Sequence, residues 1–86
     1  MTHLYQIKDA KAGFIGAPFK QPNNGFAIRS FAETVNQDAF ISAHAEDYQL
    51  FYIGEQDENT AEITSNVVFL ENASNVVIPK PNEVKK

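Results

Sequence analysis

Residues 24–36 read NGFAIRSFAETVN, and this stretch decides the fold class. Apolar side chains recur in it at helical spacing, at Ala27, Ile28, Phe31, Ala32 and Val35. The asparagines at 23 and 24 offer an N-cap, because an asparagine side chain accepts hydrogen bonds from the open amides of a first helical turn. The pattern predicts an amphipathic helix over 24–36, with an apolar stripe wide enough to lie on a sheet.

Strands are predicted on both sides of this helix. The alternating stretch 3–8 predicts a short first strand. The stretch YQLFYI at 48–53 is rich in aromatic and branched residues and predicts a strand in the centre of a sheet or in an interface. After a polar turn at 54–59, residues 61–70 predict the second strand of the same hairpin.

The remaining segments predict weaker elements. The stretch KAGFIGAPFKQP at 11–22 is predicted to be an extended segment interrupted by glycines. Pro18 allows it to be an edge strand at best, because proline has no amide hydrogen to donate to a neighbouring strand. A connector fills 37–47, and Val76–Ile78 predicts a further edge strand. We therefore expect one small α+β domain over 1–78, with an antiparallel sheet of three to five strands packed on one amphipathic helix. Residues 79–86 are expected to form a disordered tail.

Composition and charge narrow the function. The 86-residue chain carries a net charge of −4 and no cysteine, so neither a disulfide nor a thiolate metal site is expected. Residues 1–30 carry +3, residues 31–79 carry −9 and the tail carries +2. The N-terminal residues do not resemble a signal peptide, and no apolar run suits a membrane span. A cytoplasmic protein without membrane association is expected.

No catalytic motif is present, and we expect neither an enzyme nor a cofactor. His44 lies beside Glu46 and Asp47, but zinc needs three or four well-placed ligands, so a surface or capping histidine is favoured over a metal site. The glycines at 13 and 16 lack the surrounding pattern of a phosphate-binding loop.

A binding function is better supported. Single-stranded nucleic acid is held by aromatic side chains that stack on bases and by cations that follow the backbone. The N-terminal third interleaves both kinds of residue, and the candidate binding residues are Lys8, Lys11, Phe14, Phe19, Lys20 and Arg29. The alternative is that these aromatics are core residues and the lysines face solvent, and a domain this small favours that alternative on sequence alone.

The same segments, in their order, resemble the small non-structural protein of microviruses, tailless phages with single-stranded DNA genomes, and in particular its gokushovirus branch. The resemblance covers residues 5 to about 63. Its matching stretches are YQIKD at 5–9 with KA at 11–12, PF at 18–19, GFAIRSF at 25–31 with VN at 35–36, HAEDYQLF at 44–51 and IGE at 53–55. The chain departs from the family pattern at three positions. The family has proline at the position of Ala45, often has a second phenylalanine at the position of Lys20, and usually has a glycine that closes the hairpin turn at the position of Ala61.

The resemblance implies a protein made in the cytoplasm of the infected bacterium and absent from the capsid. It implies a role in genome replication or in the switch to single-strand synthesis and packaging, with single-stranded DNA as the candidate partner. The second hypothesis is a protein-interaction module that binds a phage replication or capsid protein or a host factor through the acidic stretch. A homodimer is expected in either case, because 48–53 and 67–70 are apolar on more faces than one helix can cover.

Overall fold

The computed structural model of the protein describes residues 1–78. Four strands and two helices follow one another along the chain, as β1 Thr2–Asp9, β2 Gly13–Lys20, α1 Asn24–Gln37, α2 Ala39–Ala43, β3 Tyr48–Gln56 and β4 Ile63–Asn72. Short 3-10 turns lie at Ala45–Asp47 and Ala73–Asn75. The predicted fold class, a small antiparallel sheet with one main amphipathic helix, is confirmed.

The sheet has the strand order β2-β1-β3-β4, and every neighbouring pair is antiparallel. β3 lies between β1 and β4, so the prediction of a central strand at 48–53 is confirmed. β2 is an edge strand, as Pro18 predicted, and β4 forms the opposite edge. Since β2 leads through α1 to β3, with β1 between them, the helix crosses one face of the sheet and leaves the other face open.

Helix α1 begins where the sequence predicts and ends one residue later. The Asn23 side chain caps it, because its Oδ1 accepts a hydrogen bond from the Phe26 amide at 3.0 Å. Ala27, Phe31 and Val35 lie on one stripe of the helix and are buried. Burying a phenylalanine or valine side chain contributes about 1.5–3 kcal/mol each, which fixes the helix on the sheet.

The core fills the space between α1 and one face of the sheet. Tyr5 of β1 and Leu50 of β3 are fully buried against the helix, and the Tyr5 hydroxyl donates to Asn24 Oδ1 at 2.8 Å. The buried hydrophobic residues are Tyr5, Ala27, Phe31, Val35, Ala45, Tyr48, Leu50 and Ala73. β4 contributes none of them, and only its Leu70 packs partly against this core.

Two further predictions need correction or fall outside the structure. The strand predicted at Val76–Ile78 is wrong, because Asn36 of α1 takes up the backbone groups of this segment. The Asn36 amide donates to the Val76 carbonyl at 3.0 Å, and its Oδ1 accepts from the Ile78 amide at 2.7 Å. The predicted disordered tail at 79–86 lies outside the described residues. None of the helices in residues 1–78 is long and apolar enough to cross a membrane.

Candidate functional site

Three phenylalanine rings form a row across the sheet face opposite α1, which we call the open face. Phe14 of β2 meets Phe51 of β3 edge-on, with ring centroids 5.3 Å apart. Phe51 meets Phe69 of β4 in the same way at 5.6 Å. Phe14 and Phe69 are 45% and 51% exposed, so the two ends of the row offer aromatic surface to a ligand.

Strand alternation explains why these rings share the open face. Successive side chains of a strand point to opposite faces, and Leu50 is buried under α1, so Phe51 points away from the helix. Phe51 pairs directly with Phe69 in the β3–β4 ladder. Lys8 pairs directly with Phe14 in the β1–β2 ladder. The row therefore follows from the register of the sheet.

Lys8 adds a positive charge to this row. Its Nζ lies 5.7 Å from the ring centroid of Phe14 and 5.7 Å from that of Phe51. Both distances fall within the range of cation–π attraction, about 6 Å. The two contacts hold the ammonium group next to exposed aromatic surface, which is the pairing that a nucleotide needs for its phosphate and its base.

Two carboxylates of the central strands, those of Glu55 and Asp9, lie away from the aromatic row. Glu55 belongs to the helix-facing side, where its Oε2 accepts a hydrogen bond from the Tyr52 hydroxyl at 3.4 Å, and Asp9 pairs with the buried Tyr48. The open-face positions beside the row carry the neutral residues Leu4, Gln6, Gln49 and Val67. Among residues 1–78, no carboxylate lies within 4.0 Å of the Lys8 ammonium. Lys8 therefore keeps its charge available to an anion.

The structure brings two of the six sequence-predicted residues together in this row, Lys8 and Phe14. Lys20 is exposed and pairs with Leu4 at the other end of the β1–β2 ladder. Lys11 lies in the turn between these strands, where its Nζ forms an ion pair with Asp47 at 3.4 Å.

The other two predicted residues lie on the helix side of the sheet. Phe19 stacks on the buried Tyr5, with centroids 6.1 Å apart, and packs against the core. Arg29 is exposed on α1, where it borders a shallow cleft with Asn23 and Phe26. The open face thus includes neither.

Sequence reasoning missed Phe51 and Phe69 as members of the site. Each lies in a correctly predicted strand, but their stretches are apolar on both faces, so alternation alone did not reveal which residues point outward. The burial of Leu50 and the direct pairing of Phe51 with Phe69 show which side chains of β3 and β4 point away from the helix.

A cleft of about 580 Å³ lies on the other face, beside the start of α1. Tyr52 is one of its lining residues, and its hydroxyl lies 3.4 Å from His3 Nδ1 and 3.4 Å from Glu55 Oε2. Burial, and then the charge of Glu55, raises the pKa of the Tyr52 phenol. The phenol is therefore protonated at neutral pH and donates its hydrogen bond to Glu55.

Histidine and carboxylate groups do not assemble into a metal site within residues 1–78, where no group of three or more potential ligands is close enough to share an ion. His44 follows α2, and its Nδ1 lies 2.9 Å from the Phe40 carbonyl, against whose ring the imidazole packs. This is the capping arrangement that the sequence favoured for His44.

Comparison with known protein families gives a match. A family model described as "Phage ORF5 protein" matches residues 2–76, which is nearly all of the described chain. No curated protein and no solved structure matches the chain.

Proposed function

Since the chain belongs to the Phage ORF5 protein family, we propose that it is a non-structural accessory protein of a microvirus-type phage. In this proposal it acts in the cytoplasm of the infected bacterium, in genome replication or packaging, and binds single-stranded DNA without strong sequence preference. It is a binding protein without cofactor or catalytic role. The family match supports the phage origin, and the resemblance to gokushovirus proteins supports the virus class.

One observation carries the DNA-binding proposal: Lys8 lies over a row of three phenylalanine rings on an open sheet face. Bases stack on such rings whatever their identity, because every base has a π-face, and each stacked base contributes about 1–3 kcal/mol. Lys8 supplies the charge for a neighbouring phosphate. The site thus matches the chemistry of an unpaired, flexible strand.

A duplex suits the same surface poorly. Its bases are already stacked on one another, so the phenylalanine rings have nothing to bind. Duplex binding relies on many phosphate contacts, whereas residues 31–79 carry nine carboxylates and no lysine or arginine. The proposal therefore includes a preference for single strands.

A titration of fluorescently labelled oligonucleotides tests this function. A single strand of about 20 nucleotides, long enough for one or two binding sites, is compared with the duplex of the same sequence. We expect anisotropy to rise with the single strand at about 50 mM salt, to rise less at about 200 mM, and to change little with the duplex. Absence of single-strand binding at the lower salt would contradict the proposal.

The second candidate function is a protein-interaction module, and the exposed apolar side chains of β4 favour it, namely Ile63, Val67, Val68 and Phe69. Exposed apolar edges are docking sites for other chains. Purification from infected cells with and without nuclease treatment separates the two functions. A phage or host protein that stays bound after nuclease treatment would favour this second candidate.

A further inference from the structure

The outer edge of β4 is built differently from the other edge of the sheet. Residues 63–70, ITSNVVFL, contain no charge, no proline and no glycine. β2, at the opposite edge, contains Pro18, Lys20 and two glycines with positive φ, Gly13 and Gly16. Charges, prolines and irregular backbone are the devices by which proteins block strand addition at an edge. The chain thus protects one edge and leaves the other open.

The rest of the fold also buries little of β4. Residues 63–69 are all exposed, with Val67 at 57% and Phe69 at 51%. The strand places no residue in the buried core. Leu70 packs only partly against that core, and Ile63, Val67, Val68 and Phe69 stay exposed. A domain of this size has a small core, and burial of a further strand would add to its stability.

We propose that the occupant of this edge is a second copy of the chain, paired antiparallel through β4 about a two-fold axis at Val67. An isologous interface requires a surface that is complementary to itself. Residues 63–70 carry no charge, so pairing centred on Val67 sets residues 64–70 of the two copies opposite one another without repulsion between like charges. In antiparallel pairing about a two-fold axis, two residues lie directly opposite one another only when the sum of their numbers is even. The sum for Glu62 and Glu71 is odd, so these two carboxylates are never directly opposed. With Val67 on the axis, Glu71 faces Ile63 and Phe69 faces Ser65.

Such a pairing joins the two sheets into one sheet of eight strands, twice the four of a single copy. A two-fold axis perpendicular to the sheet keeps both open faces on the same side. The phenylalanine row of one copy ends at Phe69, so the two rows lie on the same face of the joined sheet, offset along the strands by four residues or about 13 Å. If the proposed function holds, the dimer presents one continuous DNA surface with two Lys8 side chains; the dimer itself does not depend on that function.

Mass measurement and site-directed cross-linking test the pairing together. By light scattering, we expect the protein at high concentration to have a mass of about 19 kDa, twice the 9.6 kDa of the chain. Val67→Lys places a charge on the axis and should give a folded monomer, checked by circular dichroism. Ala17→Lys on the opposite edge is the matched control and should remain a dimer.

Cross-linking keeps the test decisive if Val67→Lys fails to fold. The chain has no cysteine, so Val67→Cys and Ala17→Cys each introduce a single thiol. Opposed residues of antiparallel strands have Cα atoms about 4.5–5.5 Å apart, within the range that a disulfide spans. Val67→Cys should therefore oxidise to a covalent dimer far faster than Ala17→Cys.

Four results would overturn the proposal: a monomer at millimolar concentration, a dimer that Val67→Lys leaves intact, equal cross-linking of the two cysteine variants, or a β4 edge that pairs only with a different protein. The oligonucleotide titration of Val67→Lys separates this proposal from the DNA-binding one. A ratio of long-strand to short-strand affinity that is smaller in Val67→Lys than in the wild type supports both, because the lysine added to the open face affects both lengths alike. A confirmed dimer without DNA binding leaves the pairing standing and removes only the function.

Discussion

Phe51 and Phe69 face each other directly in the β3–β4 ladder, and their rings meet edge-on with centroids 5.6 Å apart. This contact connects the central strand to the strand whose outer edge is unpaired. The aromatic row that begins at Phe14 therefore ends at the edge where we propose that a second copy joins. Binding of nucleic acid and self-association share β4 in this account.

Removal of the exposed rings should weaken binding of single-stranded DNA. Phe14→Ala and Phe69→Ala each delete one stacking surface, worth about 1–3 kcal/mol, so we expect a 5- to 150-fold loss of affinity. Phe26→Ala is the matched control, because Phe26 is 49% exposed but lies on α1. Anisotropy titration measures all three variants, and an equal loss in Phe26→Ala would argue against the open face.

Lys8 should contribute to the salt dependence of binding. Each phosphate contact with a single strand adds about −0.7 to the slope of log K against log salt concentration. Lys8→Ala should therefore make the slope shallower by about 0.7 per protomer. Arg29→Ala removes the same charge from the helix side and should leave the slope unchanged. If the arginine variant changes the slope as much as the lysine variant, net charge rather than the site governs binding.

Gly54 should tolerate no side chain. Its φ is +146°, and a Cβ placed there would lie 2.1 Å from the Thr64 carbonyl oxygen of the neighbouring strand. We expect Gly54→Ala to destabilise the fold by more than about 2 kcal/mol, because strand backbone has to move. Gly16→Ala is the control, since its φ of +70° has the left-handed strain but no atom within 4 Å. That variant should lose only about 1–2 kcal/mol in urea denaturation. Equal losses would mean that the clash relaxes freely.

Replacement of Ala61 by glycine should increase the stability of the fold. It is the one non-glycine residue with positive φ in residues 1–78, at +67°, and an alanine in that conformation costs about 1–2 kcal/mol. Part of the gain is offset by the greater freedom of glycine in the unfolded chain, so we expect Ala61→Gly to stabilise by up to about 1 kcal/mol. Ala12→Gly, in a turn where φ is negative, should instead be neutral or destabilising. A loss of stability in Ala61→Gly would contradict the turn geometry.

Alkaline pH should lower the stability of the folded protein. Burial, and then the charges of Asp9, Asp38 and Asp47, raises the pKa of the Tyr48 phenol above its ordinary value of 10.0. A group whose pKa is raised on folding favours the folded state below its unfolded pKa, and this contribution is lost as the pH rises through the folded pKa. We therefore expect stability to fall above pH 10. Tyr48→Phe should weaken that dependence in denaturation series, and an unchanged dependence would count against a buried, neutral phenol.

The sequence predicted the elements that local chemistry determines. Asn23 caps α1, and the spacing of Ala27, Phe31 and Val35 identifies the buried stripe without reference to the rest of the chain. Pro18 similarly restricts β2 to an edge. These features depend on neighbours along the chain, so they are readable from the residues alone.

The site could be predicted only in part, because it depends on contacts between distant residues. Lys8 and Phe14 belong to a segment with an informative local pattern, whereas Phe51 and Phe69 become part of the site only through the β3–β4 register. The wrong strand at Val76–Ile78 has the same cause, since its backbone is bound by Asn36 from another element. The spacing of residues along the chain does not predict the register between strands, nor the hydrogen bonds of one element's side chains to the backbone of another.

The location of bound DNA tests the central claim most directly. Backbone amide resonances of the 15N-labelled protein are followed by NMR as an unlabelled single-stranded oligonucleotide is added at low salt. We expect the largest shifts at Lys8, Phe14, Phe51 and Phe69, with little change at Phe26 and Arg29. Shifts centred on α1, or none at saturating oligonucleotide, would contradict DNA binding at the open face.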